Sequence, residues 1–256
     1  MKMKTKMMLL GSVLAMSLLM LPAVPASPEG IDVKEIIKEV DRLYRSAFSY
    51  SEIEMEIVTP HWQRTLSMQA WTQGMEKTFI RITAPDKEKG MATLRIKNEM
   101  WNYLPKTNKV IKIPPSMMMS SWMGSDFTND DLVKEFSLYD DFSYQLIPST
   151  KGSEDTILIN CIPRPDLPVV WHNIVIAVRK EDHLPVWQKY YDEKGQLMRI
   201  LNYRDVKKFG TRTLPATMEM IPQNEEGHKT IIRYLALDFD RKLNPEVFSL
   251  RNLRGD

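Results

Sequence analysis

The sequence predicts a mainly β, α+β protein built on one large curled antiparallel sheet with helices over its concave face. Three observations carry this expectation. From Glu52 onward, apolar and polar residues alternate with a period of two through a long series of short runs. Turn-forming residues separate those runs at hairpin spacing. Two stretches break the alternation: an amphipathic helical pattern near the N-terminus and a methionine-rich segment in mid-chain. A sheet of about ten or more strands tends to curl, and its inner face then needs a cover.

The first 26 residues read as a targeting segment. Lys2, Lys4 and Lys6 precede an uncharged apolar run from Met7 to Leu21, and Val24-Pro25-Ala26 offers small residues for cleavage after Ala26. The run is short for a membrane span and is followed by Pro22 and Pro25. No cysteine lies just beyond it to carry a lipid. The expectation is a signal peptide over 1–26 and a single exported domain over 27–256, soluble in a bacterial periplasm. Losing those three lysines from 35 basic residues leaves 32 against 33 acidic ones, a net charge of −1. Net charge thus gives no argument for nucleic acid or for electrostatic attachment to a membrane. Cys161 stands alone, so no intrachain disulfide forms and stability must come from the core.

Residues 31–48 carry Ile36, Ile37, Val40, Leu43 and Tyr44 at helical spacing, with Asp32 placed as N-cap. Then the period changes. Glu52, Glu54 and Glu56 alternate with Ile53, Met55 and Ile57, and Thr65, Ser67 and Gln69 alternate with Leu66, Met68 and Ala70. Further strands are expected over 77–83, 92–97, 100–104 and 109–113. After the break they resume over 143–148, 155–163, 171–179, 185–192, 197–206, 212–222 and 229–239. Asp192-Glu193-Lys194-Gly195 is a strong hairpin turn. Asn244 to Phe248 reads as a short helical turn docking Phe248 and Leu250.

The break, expected to be helical, runs from Pro114 to about Leu138. Pro114-Pro115 stops the preceding strand, and Met117, Met118, Met119, Trp122 and Met123 follow. Such soft, unbranched side chains suit a surface that repacks around an ill-defined apolar partner. The segment is either a fixed plug with methionine as filler or a flap over an apolar cavity, with Pro114-Pro115 and Gly124 at its ends. Thr128 and Asp131 fit a capping box. Read instead as a calcium loop, the stretch from Asp126 fails, because Asp131 stands at the sixth position and Ser137 at the twelfth.

No catalytic constellation emerges. His61, His172, His183 and His228 are not at metal-ligand spacing from one another. Cys161, between strand residues, reads as a buried structural thiol. Nucleophile-elbow, zinc-protease and phosphate-loop motifs are absent from the sequence. The tryptophans fall mostly in or beside strands, where aromatic residues favour the pleated surface; Trp122 is the exception. The expectation is therefore a non-enzyme without metal or cofactor.

Several pieces together resemble the LolA-like outer membrane lipoprotein-sorting family. They are Trp101-x-Tyr103-Leu104-Pro105 and the run from Met123 through Gly124-Ser125-Asp126-Phe127 to Leu132. Arg81-Ile82-Thr83-x-Pro85, Tyr190-Tyr191-Asp192-x-x-Gly195, Leu214-Pro215, His228-Lys229-Thr230 and Pro245-x-x-Phe248 match as well. The resemblance implies an unclosed barrel of about eleven strands with a helical lid, whose concave face holds the acyl chains of lipoproteins crossing the periplasm. Read as a flap, the methionine-rich segment supplies the candidate acyl contacts Met117, Met118, Met119, Trp122, Met123 and Phe127. The resemblance also implies an interior arginine latching the lid, with Arg64 and Arg81 as candidates by rough position. The function expected is transfer of lipoprotein acyl chains or lipid toward the outer membrane, between an inner-membrane exporter and an outer-membrane acceptor. Lacking the lipidated cysteine of the anchored acceptor, the chain fits the shuttle role. The alternative is a non-catalytic accessory subunit of an inner-membrane RND-type exporter, with a packed core.

Overall fold

In a computed structural model, residues 31–133, 136–148, 152, 154–165, 167, 169–239 and 241–255 are described. The expected signal peptide lies outside these residues. The region from Asp32 to Asp256 forms one compact unit.

Its frame is a thirteen-stranded antiparallel sheet that is not closed, two strands more than the resemblance implied. The first ribbon contains β1 (Phe48–Val58), β2 (Gln63–Gln73), β3 (Lys77–Ala84), β4 (Ala92–Ile96), β5 (Glu99–Leu104) and β6 (Lys109–Lys112). The second contains β7 (Phe142–Ile147), β8 (Thr156–Pro163), β9 (Asn173–Arg179) and β10 (Pro185–Tyr191), then β11 (Leu197–Phe209), β12 (Arg212–Pro222) and β13 (Lys229–Phe239). Within each ribbon, sequence neighbours pair; β1 and β13 join the ribbons, so β6 and β7 are the free edges. Alternation explains the faces. Leu66, Met68 and Ala70 are buried along one side of β2, and Met55 and Ile57 along the same side of β1. The Asp192–Gln196 turn forms as expected, with Gly195 N–H donating to the Asp192 carbonyl and Gly195 at φ +73°.

Helix α1 (Val33–Arg42) is capped by Asp32, whose carboxylate accepts from the N–H groups of Lys34 and Glu35. It is shorter than the periodicity predicted, because strand pairing begins already at Phe48 opposite Gln73. Ile36, Ile37 and Val40 pack on a core formed with Phe142, Ile159, Cys161, Ile174, Ile176 and Leu201. A second core centres on Met55, Leu66, Met68, Ile80, Ile82 and Trp122. The third lies on the opposite side of β3, where Phe79 and Leu94 meet Phe248 and Leu253. The C-terminal turn does dock Phe248, but Leu250 is exposed and Leu253 fills the position expected for it. The short helix α4 (Leu250–Arg254), capped by Ser249, buries Leu253 in the third core and leaves its first residue, Leu250, in solvent.

Candidate functional site: the edge-to-edge crossover and its cavity

Residues 113–141 run from one free edge of the sheet to the other. A mainly helical segment was expected here. The structure instead shows a single 3-10 turn (Pro115–Met117), a small bridge between Ser121 and Thr128, then helix α2 (Asn129–Val133) and helix α3 (Leu138–Asp141). Pro114, Pro115 and the turn at Gly124 leave too little uninterrupted chain for a long helix.

The turn at 122–125 organises this crossover. Met123 (φ +53°) and Gly124 (φ +74°) both lie in the left-handed region, and Ser125 N–H donates to the Trp122 carbonyl. Two positive φ values in succession are what a type I′ turn requires. Met123 adopts a conformation that costs an L-residue about 1–2 kcal/mol, so its surroundings must hold it. Arg64 on β2 does so by donating to the Met123 carbonyl, and it also faces Glu88 at 3.6 Å. A Cβ at Gly124 would stand 3.1 Å from the same guanidinium.

Other ties reach from both ribbons. The Trp122 indole N–H donates to Thr93 Oγ1 on β4 at 3.1 Å. Arg95, also on β4, donates to the Leu132 carbonyl at 2.9 Å. Asp126 N–H donates to Thr230 Oγ1 at 2.9 Å, and the Thr230 hydroxyl donates to Asp126 Oδ2 at 2.6 Å. Arg199 on β11 makes a two-pronged ion pair with Asp131, at 2.7 and 2.8 Å, and lies against both Trp171 and Tyr190, whose rings touch edge-on. Thr128 and Asp131 form the expected reciprocal cap, with Asp131 N–H donating to Thr128 Oγ1 and Thr128 N–H to Asp131 Oδ2. On α1, Asp41 accepts from the Leu138 N–H at 2.7 Å.

The expected contact residues separate into two groups. Trp122 is buried, and Met118 and Met123 pack beside it on the second core. Phe127 turns to the first core, so the crossover touches both. Met117 and Met119 are exposed, at 47% and 54%. One 3-10 turn cannot bring three consecutive side chains to the same face. Arg64 reaches the crossover; Arg81 reaches the Asn252 carbonyl in α4 instead. Sequence reasoning missed Arg95 and Arg199, because an arginine within an alternating strand reads as solvent-facing.

Beneath the crossover lies a cavity of about 230 Å³. Met55, Met68, Ala70, Ile80, Ile232, Trp122 and Leu132 give it apolar walls. Ser49, Ser51, Thr72, Thr78 and the Tyr44 side chain line it too. The cavity thus has both apolar and hydroxyl-bearing walls, and Ser49 and Thr72 already share a hydrogen bond at 2.6 Å. Cys161 is buried away from it, and burial pushes its thiol up to about 12, which leaves it protonated and unreactive.

A family model described as "Uncharacterized protein" matches residues 74–255, more than two thirds of the chain. The chain belongs to this family. No curated protein matches it. Solved structures match over nearly the whole described region. A DUF1329 family protein from Desulfovibrio piger has a TM-score of 0.75 and 24% identity, covering 86% of this chain and 97% of that one. A domain described as outer membrane lipoprotein-sorting, from Vibrio parahaemolyticus, has a TM-score of 0.72 and 22% identity over 86% and 97%. A LolA superfamily protein from Nitrosomonas europaea has a TM-score of 0.71 and 18% identity over 87% and 100%. The fold is therefore the LolA-like one to which the sequence motifs pointed.

Proposed function

We propose that the protein is a non-enzymatic periplasmic carrier that shields acyl chains of a lipoprotein or lipid. The observation that carries this reading is the cavity between the sheet and the crossover, with Trp122 and Leu132 among its walls. Its apolar walls match a hydrocarbon chain, and the Ser49, Ser51, Thr72 and Thr78 hydroxyls match a polar end group. Each methylene buried there contributes about 0.8 kcal/mol. At about 230 Å³ the space is smaller than the ~300–1,000 Å³ of drug-sized ligand pockets, so a full acyl chain requires the crossover to lift. The crossover is then the lid, and Arg64, Arg95, Arg199 and Asp126 are the ties that loading must loosen. A carrier of this kind works by differential exposure of one apolar face.

Mass spectrometry of an organic extract of the native protein, purified without detergent, tests the proposal. Stoichiometric lipid is expected, together with its loss from Ala70→Phe, which fills the cavity from β2. A lipid-free native protein that also fails to bind a fluorescent fatty acid sinks the carrier reading. The second reading, an accessory subunit of an inner-membrane exporter, is favoured by the density of those same ties. Under it the crossover is a fixed plug, and Ala70→Phe changes no binding.

A further inference from the structure

At the crossover, Asp126 stands beside two side chains that the carrier reading does not use. Asp126, the residue after the type I′ turn, meets Glu225 and His228 from the β12–β13 hairpin, and one ligand atom from each lies within 4.8 Å of the others. His228 Nδ1 is 3.0 Å from Glu225 Oε2 and 3.9 Å from Asp126 Oδ1. Ligands about 2.1 Å from a tetrahedral metal stand about 3.4 Å apart, a spacing these two distances bracket. We infer that Asp126, Glu225 and His228 form a binding site for a divalent transition-metal ion of the zinc type, which pins the crossover turn to the β12–β13 hairpin.

The surroundings are built for it. Thr230 is fully buried and donates to Asp126 Oδ2, which leaves Oδ1 toward His228. Such an outer hydrogen bond fixes the direction of a metal-ligating carboxylate. The hairpin is held in place by Gly227 at φ +75°, where a Cβ would come within 3.0 Å of Pro60 Cγ in the β1–β2 turn. The site opens on a cleft of about 440 Å³, also lined by His61 and Trp62, so an ion can enter and a water or exchangeable ligand can complete its shell. One imidazole with two carboxylates favours zinc-like ions over calcium or magnesium, which prefer oxygen alone.

The test uses tag-free, chelator-treated full chain and Zn²⁺ alone, followed by titration calorimetry and thermal unfolding. No lipid enters the measurement, so its outcome is independent of the carrier reading. One saturable equivalent at micromolar affinity is expected, with a raised Tm. His228→Ala should abolish both effects, and Thr230→Val should weaken binding about tenfold or more through the carboxylate it orients. His172→Ala should change nothing. Hydrogen exchange over residues 122–127 should slow on adding Zn²⁺. The inference is overturned by absence of saturable binding, by binding that survives His228→Ala, or by binding that leaves exchange at the turn unchanged.

Discussion

Replacing Arg199 by methionine removes the strongest electrostatic tie between the crossover and the second ribbon. The side chains of Arg199 and Asp131 are 10% and 20% exposed, and their two hydrogen bonds are 2.7 and 2.8 Å. Breaking one partner out of a buried pair costs about 3–5 kcal/mol, because the other charge stays buried alone. Loss of the cation–π contacts with Trp171 and Tyr190 removes about 0.5–2 kcal/mol more, and methionine sulfur on the same rings returns a similar amount. With Asp131 partly exposed, the lower end applies: about 3 kcal/mol, or roughly 6–12 °C in Tm for a chain of this size. The effect must also depend on pH. Burial alone would raise the Asp131 carboxyl, but the hydrogen bonds and charge of Arg199 outweigh it and hold the pKa below the ordinary carboxylate range. A depressed folded-state pKa stabilises above the unfolded value of about 3.9 and stops doing so as the pH falls through the folded value. In Arg199→Met the folded Asp131 pKa rises, so the deficit is full at neutral pH and shrinks on acidification as Asp131 takes up a proton. Urea unfolding of both proteins from pH 7 down to about pH 4 reads this out. A deficit below about 1 kcal/mol at neutral pH, or one that does not narrow with acid, refutes the reasoning.

Three further outcomes follow from the same geometry. Cys161, buried with its thiol pushed up to about 12, should be silent to a thiol reagent in the native protein and react fully in denaturant; fast native labelling would contradict its placement. Gly227→Ala should cost more than Gly195→Ala in a denaturation series. Both carry the left-handed penalty of about 1 kcal/mol, but only the first meets a neighbour, Pro60, at 3.0 Å. Met118→Asp should destabilise by several kcal/mol, while Met119→Asp stays within about 0.5 kcal/mol, since one packs on a core and the other is exposed; equal losses would overturn the inward and outward assignment.

Strand positions were readable because each depends on a local pattern. Alternation along 52–57 or 64–72 needs no knowledge of a partner, and neither does the Asp192–Gly195 turn or the Thr128–Asp131 cap. The site was harder. Arg95 and Arg199 look like ordinary outward residues until their partners, Leu132 and Asp131, are brought in from the crossover. The Glu225 and His228 pair sits within one hairpin, but Asp126 joins it only because Thr230 fastens the turn to β13. The left-handed Met123 has no sequence signal of its own beyond the glycine that follows it.

The pairing order of the sheet has a consequence for how the chain is made. Each ribbon consists of strands that meet their sequence neighbours, so each can assemble by short closures. The exception is β1 with β13, whose partners, such as Glu54 with Arg233, lie at opposite ends of the chain. Closing a loop of that length is entropically costly and slow relative to hairpin formation. Arg233 answers this with charge, reaching Glu54 at 3.2 Å and Glu56 at 2.7 Å on the strand it must find. The first strand synthesised therefore waits for the last, and the inner surface on which the crossover rests is complete only when the final strand has zipped into place.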